Sequence, residues 1–556
     1  MATNMSEKLK RKLNSLTNLT MGDKKPKKVY LPKSGEEPEE KYSNEVTRIP
    51  KIADESVKEI EVSEVEPPYS YVRIKYDNTS NEYIYEVIEP ELDDDEEYVL
   101  KTVKDQVIDR VELIDIDDKK EREEYLEHKV HNILDDLDVS LRPISEDRIL
   151  YYIKRDFLGF GSIHVIMNDT EPEDISCDGV GIPIYVFHRK YGSMKSNVVF
   201  ETAEVLDNYV VWLAQRSGKH ISVADPMLDA TMPDGSRLQE TLGTHVTQKG
   251  SSFTIRRFEE EPYTPISLIQ FKTFNPEMMA YAWIAIENRQ SMLICGGTAS
   301  GKTTTLNAIL LFIPPQMKIV SIEDTRELNL PHDNWVPLLT RSGFGETDES
   351  GQKAGEIDMF ELLQAALRQR PQYLMVGEVR GEEAYVVFQA MATGKSAYTT
   401  FHADDVQTMV NRMENDPINL PRALVGALDI VLLQAKVKVG TKMVRRIKSI
   451  TEVVGVDPDT EELITNQAYT WNPADDSFNY SGHSYVYSKV AQSKNWTQRE
   501  MEREVKRRKK VLEYLKEEEI TNYEDFAHTI SSYYRDKKSV MEMVREKLGE
   551  SKRSLS

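Results

Sequence analysis

The chain has 556 residues, 39% of them hydrophobic and 30% charged, and this length predicts two or more domains. Its net charge of −23 argues against a general nucleic-acid binder, because phosphate binding needs a basic surface. Its two cysteines, Cys177 and Cys295, cannot form a disulfide framework or a four-cysteine zinc site. No signal peptide or bilayer-spanning run is recognisable in the sequence, and these features together favour a cytoplasmic protein.

Residues 1–65 have the composition of a disordered tail, rich in Lys, Glu, Ser and Pro and poor in aromatic residues. Within it, residues 1–34 hold nine lysines and arginines against two acidic residues, a balance of +7. Leu9, Leu13 and Leu16 recur at helical spacing among these lysines. This pattern is typical of a short helix on an anionic membrane surface, and a solvated tail is the alternative.

Residues 66–260 are predicted to form an α+β N-terminal domain. Two alternating runs around a polar turn at 69–90 indicate a β-hairpin, the acidic run at 92–97 is predicted to be a loop, and 118–137 has helical apolar spacing. Ser145 is predicted to cap the next helix, and strands are predicted within 183–194 and 251–258. A proline-containing linker at 259–265 marks the expected domain boundary.

Residues 261–490 are predicted to alternate between helix and strand, as in a parallel sheet, and residues 491–556 to form a charged helical segment. Thr497 with Glu500, and Thr521 with Glu524, have the spacing of capping boxes. The basic run at 506–510 follows a stretch of alternating glutamates and is predicted to be a solvated helix face.

The stretch "GGTASGKT" lies between an apolar strand, "MLIC", and an apolar helix, which is the context of a phosphate-binding loop. The backbone N–H groups of such a loop surround phosphate oxygens, and the helix N-terminus adds a favourable dipole. Lys302 would reach the β- and γ-phosphates of a nucleotide, and the Thr303 hydroxyl would coordinate Mg²⁺. The candidate nucleotide-binding residues are Gly296, Gly297, Thr298, Ala299, Ser300, Gly301, Lys302, Thr303 and Thr304.

Three further predicted strands end in polar residues: Glu323, Glu378 and His402. Because the carboxyl ends of parallel strands form the ligand-binding edge of a sheet, we expect all three beside the phosphate-binding loop. In most ATPases with such a loop an aspartate holds magnesium where Gly377 stands. Here the acidic group, Glu378, arrives one residue later.

These motifs resemble the Walker A, Asp-box ("IEDTRE"), Walker B ("LRQRPQYLMVGEVRG") and His-box ("TTFHADD") motifs of the secretion ATPase superfamily, whose Walker B ends in Gly-Glu. That family powers type II secretion, type IV pilus assembly and retraction, type IV secretion and the archaellum. The resemblance covers residues 145–455, and "EDISCDGVGIPIYVFHRKYGS" resembles its archaeal branch in particular. It implies a RecA-like P-loop ATPase core preceded by a smaller α+β N-terminal domain. The four-cysteine zinc module of several bacterial members is absent from the sequence, which also favours the archaeal type.

The resemblance further implies roles for the candidate residues. Glu323 would orient or deprotonate the attacking water, Glu378 would hold magnesium or share the catalytic role, and His402 would sense or position the γ-phosphate. Which carboxylate is the base stays open. Phosphoryl transfer also needs positive charge on the transferred group, and either this role or a structural ion pair fits each arginine candidate. These candidates are Arg237, Arg256, Arg257 and Arg380.

The leading hypothesis is an ATP- and Mg²⁺-dependent motor at the inner face of the cell membrane that assembles or rotates a type IV pilus-like filament. The resemblance implies a homohexamer, with ATP between the two domains and at subunit boundaries, and a polytopic membrane platform protein as partner. Protein secretion or pilus retraction is the alternative within the family. A nucleic-acid motor is disfavoured because the core lacks aromatic residues interleaved with basic ones, and a scaffold with little turnover is disfavoured by the complete set of carboxylates.

Overall fold

The computed structural model describes residues 45–110, 118–258, 261–341, 344–347, 353–440, 442–460 and 462–548. The chain divides into two compact units between Arg257 and Phe258. The basic segment 1–34, with its predicted membrane-binding helix, lies outside the described residues. Within the described ranges, no helix combines the length and the apolar character needed to cross a bilayer. Cys177 and Cys295 are both buried, and neither forms a disulfide.

The first unit is built on one nine-stranded sheet. Its strands are β1 (Val57–Glu66), β2 (Ser70–Asp77), β3 (Glu82–Ile88), β4 (Pro172–Cys177), β5 (Pro183–His188), β6 (Gly192–Val199), β7 (Met227–Thr231), β8 (Arg237–Thr241) and β9 (Ser252–Arg256). They lie in the order β1-β2-β3-β6-β5-β4-β9-β8-β7, and only β3 and β6 pair in parallel. The predicted hairpin at 69–90 is confirmed as β2 and β3, and the strand predicted at 251–258 is confirmed as β9.

The helices of the first unit form two groups, one with an apolar core of its own and one that packs on the sheet. They are α1 (Asp94–Arg110), α2 (Lys119–Asp136), α3 (Pro143–Phe157), α4 (His164–Asn168) and α5 (Ala203–Arg216), with a short 3-10 turn at Gly161–Ile163. Helices α1, α2 and α3 share an apolar core that includes Val103, Leu126 and Ile149. Helix α5 buries Leu206 and Val210 in the core of the sheet. The helix predicted at 118–137 is confirmed as α2.

Two predictions for this unit are wrong because they were made from local composition. Residues 57–65, assigned to the tail, belong to β1, which pairs with β2 along its length. Charged side chains are usual on an edge strand such as β1, which gains its backbone hydrogen bonds from its single partner strand. The acidic run at 92–97 enters α1 instead of remaining a loop, because the Asp93 carboxylate accepts the N–H groups of Asp95 and Glu96 at 3.1 and 2.8 Å. Carboxylates at a helix N-terminus complement its dipole.

Of the three predicted helix caps, one is confirmed and two are wrong. Thr497 and Glu500 form the predicted capping box. Ser145 is not a cap, because α3 already begins at Pro143, whose fixed backbone suits the first helical position. The second predicted box is also wrong, because Asn522 caps its helix, one residue after Thr521.

The second unit is built on a sheet that changes from parallel to antiparallel. Its strands are β10 (Met292–Cys295), β11 (Ile319–Glu323), β12 (Trp335–Leu339), β13 (Phe344–Thr347), β14 (Lys353–Ala354), β15 (Tyr373–Glu378), β16 (Ser396–Phe401), β17 (Ile430–Val439), β18 (Lys442–Val456), β19 (Leu463–Asn472) and β20 (Ser477–Tyr480). The main sheet has the order β12-β11-β15-β16-β10-β17-β18-β19-β20, while β13 and β14 form a small ribbon. The first six strands of this order, β12-β11-β15-β16-β10-β17, are parallel, which confirms the predicted α/β class. The antiparallel extension from β17 to β20 was not predicted.

Helices cover both faces of the parallel strands. They are α6 (Pro265–Gln270), α7 (Pro276–Glu287), α8 (Lys302–Leu310), α9 (Met359–Arg368), α10 (Glu383–Ala392), α11 (Val406–Glu414), α12 (Arg422–Val425), α13 (Tyr485–Lys494), α14 (Gln498–Glu517), α15 (Tyr523–Arg535) and α16 (Lys537–Lys547). Met292 and Ile294 of β10 join a core with α7, α8 and the C-terminal helices, whereas Leu293 and Cys295 join a core with α9 to α11 on the other face. Burial on both faces explains the wholly apolar sequence of β10.

The basic run at 506–510 is not a uniformly solvated helix face. Arg508 is 2% exposed and pairs with Glu287 of α7 and with Glu504, whose carboxylate lies 3.3 Å away. Its guanidinium also lies 4.8 Å from the ring centre of Trp283. Lys537 of α16 contacts the same Glu504 at 2.8 Å. This charge network fixes α14 to α7 and α16, and only the tertiary structure reveals it.

Replacing Arg508 with alanine should lower the free energy of unfolding by about 3–5 kcal/mol, because it leaves the carboxylate of Glu504 buried without its main partner. Arg507→Ala is the matched control: Arg507 pairs with the same Glu504 at 3.3 Å, but its side chain is 40% exposed. The control should cost less than about 1 kcal/mol. Urea unfolding of both variants tests this, and equal losses would contradict the buried network.

Candidate functional site

Four neighbouring strands deliver functional groups to one edge of the second sheet. In the order β11-β15-β16-β10, β11 ends at Glu323, β15 ends at Glu378, β16 is followed by His402, and β10 leads into the loop that begins at Gly296. All four strands are parallel, so their carboxyl ends lie side by side. The strand order differs from the sequence order, yet the groups expected beside the loop converge there.

Lys302 opens α8 and folds back over the loop that precedes it. Its Nζ donates to the carbonyl oxygens of Gly296 and Gly297 at 3.0 and 3.1 Å. The same atom lies 3.5 Å from Nδ1 of His402. The pKa of Lys302 is lowered by burial, and the nearby carboxylate of Glu378 offsets part of this shift. The ammonium group is thus held at the mouth of the loop, where phosphate oxygens can replace the carbonyl groups as its partners.

Glu378 connects the histidine to an arginine. Its Oε1 lies 3.2 Å from Nε2 of His402, and its Oε2 pairs with the guanidinium of Arg380. Burial, together with the nearby charge of Lys302, lowers the pKa of His402, which favours the neutral imidazole. Lys302, His402, Glu378 and Arg380 therefore form a continuous chain of polar contacts across three strand ends.

Glu323 is held in a different environment. It is 2% exposed, and its Oε1 accepts the backbone N–H groups of Glu327 and Leu328, both at 3.0 Å. Its Oε2 is buried and has no hydrogen-bond partner among the described residues. Burial raises the pKa of Glu323 to about 7. A fixed carboxyl group that titrates near neutral pH, and that has one oxygen without a hydrogen-bond partner, has the properties of a general base.

The raised pKa of Glu323 predicts a pH-dependent contribution to stability. The native state keeps this proton up to about pH 7, whereas the unfolded chain releases it near its ordinary value of 4.5. The carboxyl contribution is therefore fully present below pH 4.5 and is lost as the pH rises through 7. The free energy of unfolding of wild type minus that of Glu323→Gln should fall across this range. Urea unfolding at a series of pH values measures it, and a flat difference would contradict the shift.

The glycine before Glu378 makes room for Glu323. A Cβ atom at Gly377 would lie 3.3 Å from Cγ of Glu323 and 3.8 Å from its Oε1. The backbone carbonyl of Gly377 also accepts the Thr400 hydroxyl at 2.8 Å, which fixes its position. An aspartate at this position would place a second carboxylate against a buried one. Glycine at position 377 therefore leaves space for the buried Glu323 side chain on the neighbouring strand.

Gly377→Asp should reduce the ATP hydrolysis predicted from the sequence by at least about tenfold, because a like charge beside Glu323 raises its pKa further and keeps it protonated. Gly377→Ala is the control, since it adds the Cβ atom, with its tight 3.3 Å approach to Glu323, but not the charge, and it should lose less activity than Gly377→Asp. Steady-state ATPase assays at pH 7 and pH 9 compare the two. An active aspartate variant would contradict the assignment.

The three arginine candidates of the first unit have partners or positions within that unit. Arg237 pairs with Asp229 at 2.8 Å, and the guanidinium of Arg257 donates to the backbone carbonyl of Asp169. Arg256 is exposed at the end of β9 and lies opposite Arg237 in the β8–β9 register. Arg380 is the candidate that the second unit brings to the strand ends.

Two further residues at this edge were missed in the sequence. Arg412 of α11 donates to the backbone carbonyl of His402, and its guanidinium lies 5.2 Å from the ring centre of Phe401. Oδ1 of Asp404 would lie 3.4 Å from a Cβ atom at Gly297. The "HADD" motif contains Asp404 and could have indicated it, whereas no local pattern marks Arg412.

The residues at this edge suit Mg²⁺ bound together with a nucleotide. Among the described residues, no cluster of three or more histidine, cysteine or acidic side chains could hold a metal by itself. Magnesium usually takes only one or two protein groups and completes its shell with water and phosphate oxygens. The Thr303 hydroxyl in the first turn of α8 and the Glu378 carboxylate provide such a limited donor set.

Comparison with known proteins gives consistent matches. A family described as "Type II/IV secretion system protein" matches residues 185–551, and one described as "PilB3-like, N-terminal" matches residues 8–91. An uncharacterized protein of Methanocaldococcus jannaschii is 39% identical over 400 residues, or 71% of each chain. Protein VirB11 of Agrobacterium fabrum is 27% identical over 272 residues, or 43% of this chain and 75% of that protein. A similar solved structure is the crystal structure of the VirB11 ATPase from the Brucella suis type IV secretion system in complex with sulphate. The two sequences are 22% identical, the match covers 52% of this chain and 91% of that chain, and the TM-score is 0.27.

Proposed function

The chain belongs to the type II/IV secretion system protein family, and on that basis we propose that it is a motor ATPase that assembles or rotates a type IV pilus-like filament, either an archaellum or an archaeal pilus. The observation that carries the proposal is the meeting of Lys302, His402, Glu378 and Glu323 at one edge of a parallel sheet. The PilB3-like match at residues 8–91 supports a pilus-related role over a general secretion role.

The side chains at this edge have different roles in the proposed phosphoryl transfer. The Lys302 ammonium leaves the loop carbonyls for the β- and γ-phosphates of ATP. Glu323 accepts a proton from the attacking water, or Glu378 shares that role. His402 contacts both Lys302 and Glu378, so it is placed to respond to the γ-phosphate. Thr303 and Glu378 would hold Mg²⁺, which neutralises charge on the phosphates.

The proposed assembly is a homohexamer on a polytopic membrane platform protein at the inner face of the cell membrane. Nucleotide at a subunit boundary would favour the ring, because a ligand that binds the assembled form stabilises it. Arg237, Arg256 and Arg257 are the candidates for charge supplied at such a boundary. The basic segment 1–34 is proposed to bind anionic lipid, each basic residue contributing about 1 kcal/mol near the bilayer.

A cellular experiment tests the filament role directly. The chromosomal gene is replaced by one encoding Glu378→Gln, and surface filaments are counted by electron microscopy. Loss of one class of filament, with normal levels of the variant protein, supports the proposal. Unchanged filaments together with a defect in protein export would favour the alternative, a type II or type IV secretion ATPase, which the description of the matching family supports.

Two measurements on the purified protein separate the remaining classes. Sedimentation with and without MgATP tests the ring, and a monomer at saturating nucleotide would contradict it. Stimulation of ATPase activity by single-stranded DNA, and not by anionic vesicles, would favour a nucleic-acid motor.

A further inference from the structure

The antiparallel ribbon formed by β17 and β18 packs against the phosphate-binding loop. The carbonyl oxygen of Gln434 would lie 2.2 Å from a Cβ atom at Gly296, the first glycine of the loop. At the other end of the loop, Nε2 of Gln434 and Cδ of Arg445 would each lie 3.1 Å from a Cβ atom at Gly301. Gln434 is 3% exposed, so this contact is part of the packed interior. The ribbon thus contacts both ends of the loop.

Arg445 also contacts the apex of the loop. Its Nε donates to the backbone carbonyl of Ala299 at 3.3 Å. Ala299 has a φ of 57°, a left-handed conformation that is disfavoured for alanine relative to glycine. The loop apex is therefore held in a strained conformation whose carbonyl group accepts an arginine donor.

The two neighbouring arginines of β18 differ in their surroundings. Arg446 is 3% exposed, and it pairs with Asp476 at 2.7 and 2.8 Å. Arg445 points to the opposite face, is exposed, and reaches the loop. Arg446 therefore anchors the ribbon, while Arg445 contacts Ala299.

We propose that Arg445 is a positioning residue of the nucleotide site, which holds the phosphate-binding loop in its binding conformation through the carbonyl group of Ala299. The N–H groups of such a loop face the phosphates, so a donor on a loop carbonyl acts from outside the loop and not on the ligand. The inference rests on the proposed ATPase function. It assigns a role in nucleotide affinity to a residue that lies more than 140 positions from the loop along the chain.

Binding of fluorescent mant-ADP, together with steady-state ATPase kinetics, tests the proposal. Arg445→Ala should raise the Kd for mant-ADP and the KM for ATP about tenfold, as expected for one lost charge-assisted hydrogen bond, while kcat changes less than about twofold. Lys436→Ala is the matched control, because Lys436 is exposed and directly opposite Arg445 in the ribbon. Urea unfolding midpoints equal to wild type should accompany both substitutions.

A double-mutant cycle with Ala299→Gly separates positioning from direct contact with the nucleotide. Glycine adopts the left-handed conformation without strain, so adding Arg445→Ala to Ala299→Gly should raise Kd by less than about threefold. The full tenfold increase in that background, or an equal increase for Lys436→Ala, would overturn the proposal. An unchanged Kd for Arg445→Ala would also overturn it. The mant-ADP measurement needs no turnover, so an enzyme that fails to hydrolyse ATP would refute the proposed function while leaving this test intact.

Discussion

Replacing Lys302 with alanine is expected to abolish ATP hydrolysis. Lys302 is 8% exposed, and its ammonium group is already held at the loop by the carbonyl oxygens of Gly296 and Gly297. In the proposed mechanism, this cation is the mobile positive charge that the loop itself would supply to the β- and γ-phosphates of ATP. Loss of one preorganised charge-stabilising group typically costs at least about 100-fold in kcat. Removal of the side chain should also weaken nucleotide binding.

The control for this variant is Lys318→Ala. Lys318 immediately precedes β11, at the opposite end of the parallel strands from Lys302. The Lys318→Ala variant should hydrolyse ATP at the wild-type rate in a phosphate-release assay. Near-normal hydrolysis by Lys302→Ala would remove the loop from the mechanism.

Replacing Glu378 with glutamine should leave nucleotide binding within a few-fold of wild type but slow hydrolysis about 100-fold or more, the usual contribution of a general base or of a metal-positioning carboxylate. The substitution keeps the size of the side chain and removes its charge. It therefore weakens the pairing with Arg380 and the contact with His402, while the loop that binds the phosphates is untouched.

The matched control is Glu382→Gln, the same chemical change at an exposed residue that precedes α10. Mant-ADP binding and single-turnover hydrolysis should both be normal in the control. If Glu378→Gln lost nucleotide binding together with turnover, Glu378 would be mainly structural. A pH–rate profile of the residual activity adds a second readout: a rise through pH 7 in Glu378→Gln would assign the base to Glu323, whose pKa is about 7.

The core of the candidate site could be predicted from sequence because its signals are local. The "GGTASGKT" loop stands between a strand and a helix, and Glu323, Glu378 and His402 each lie at a strand end. A general rule about parallel sheets then brings these ends together. The close approach of Glu323 to Gly377 required the strand order, because β11 and β15 are neighbours in space but are separated by three other strands in sequence.

Two of the features that the sequence does not predict depend on tertiary contacts, and a third depends on a local helix cap. Arg508 lies in a basic run typical of solvent, yet its burial is decided by Glu287 on a helix more than 200 residues earlier. Arg445 reaches Ala299 because the sheet continues past β17 into an antiparallel ribbon, and no local periodicity marks that contact. Composition does not reveal that the acidic run at 92–97 begins a helix, because a carboxylate cap and a solvated loop have the same composition.

The C-terminal helices share a core with the sheet that carries the candidate site, and this has a genetic consequence. Trp283 stacks on Phe312 at 5.2 Å and donates to the Tyr534 hydroxyl at 2.7 Å, while Phe526 packs on Phe312 at 5.7 Å. A nonsense or frameshift mutation shortly before α14 would spare every candidate site residue but would uncover this aromatic cluster. Its product would be a target for proteolysis, so such an allele would behave as a complete loss of function although the motifs of the site remain in its reading frame.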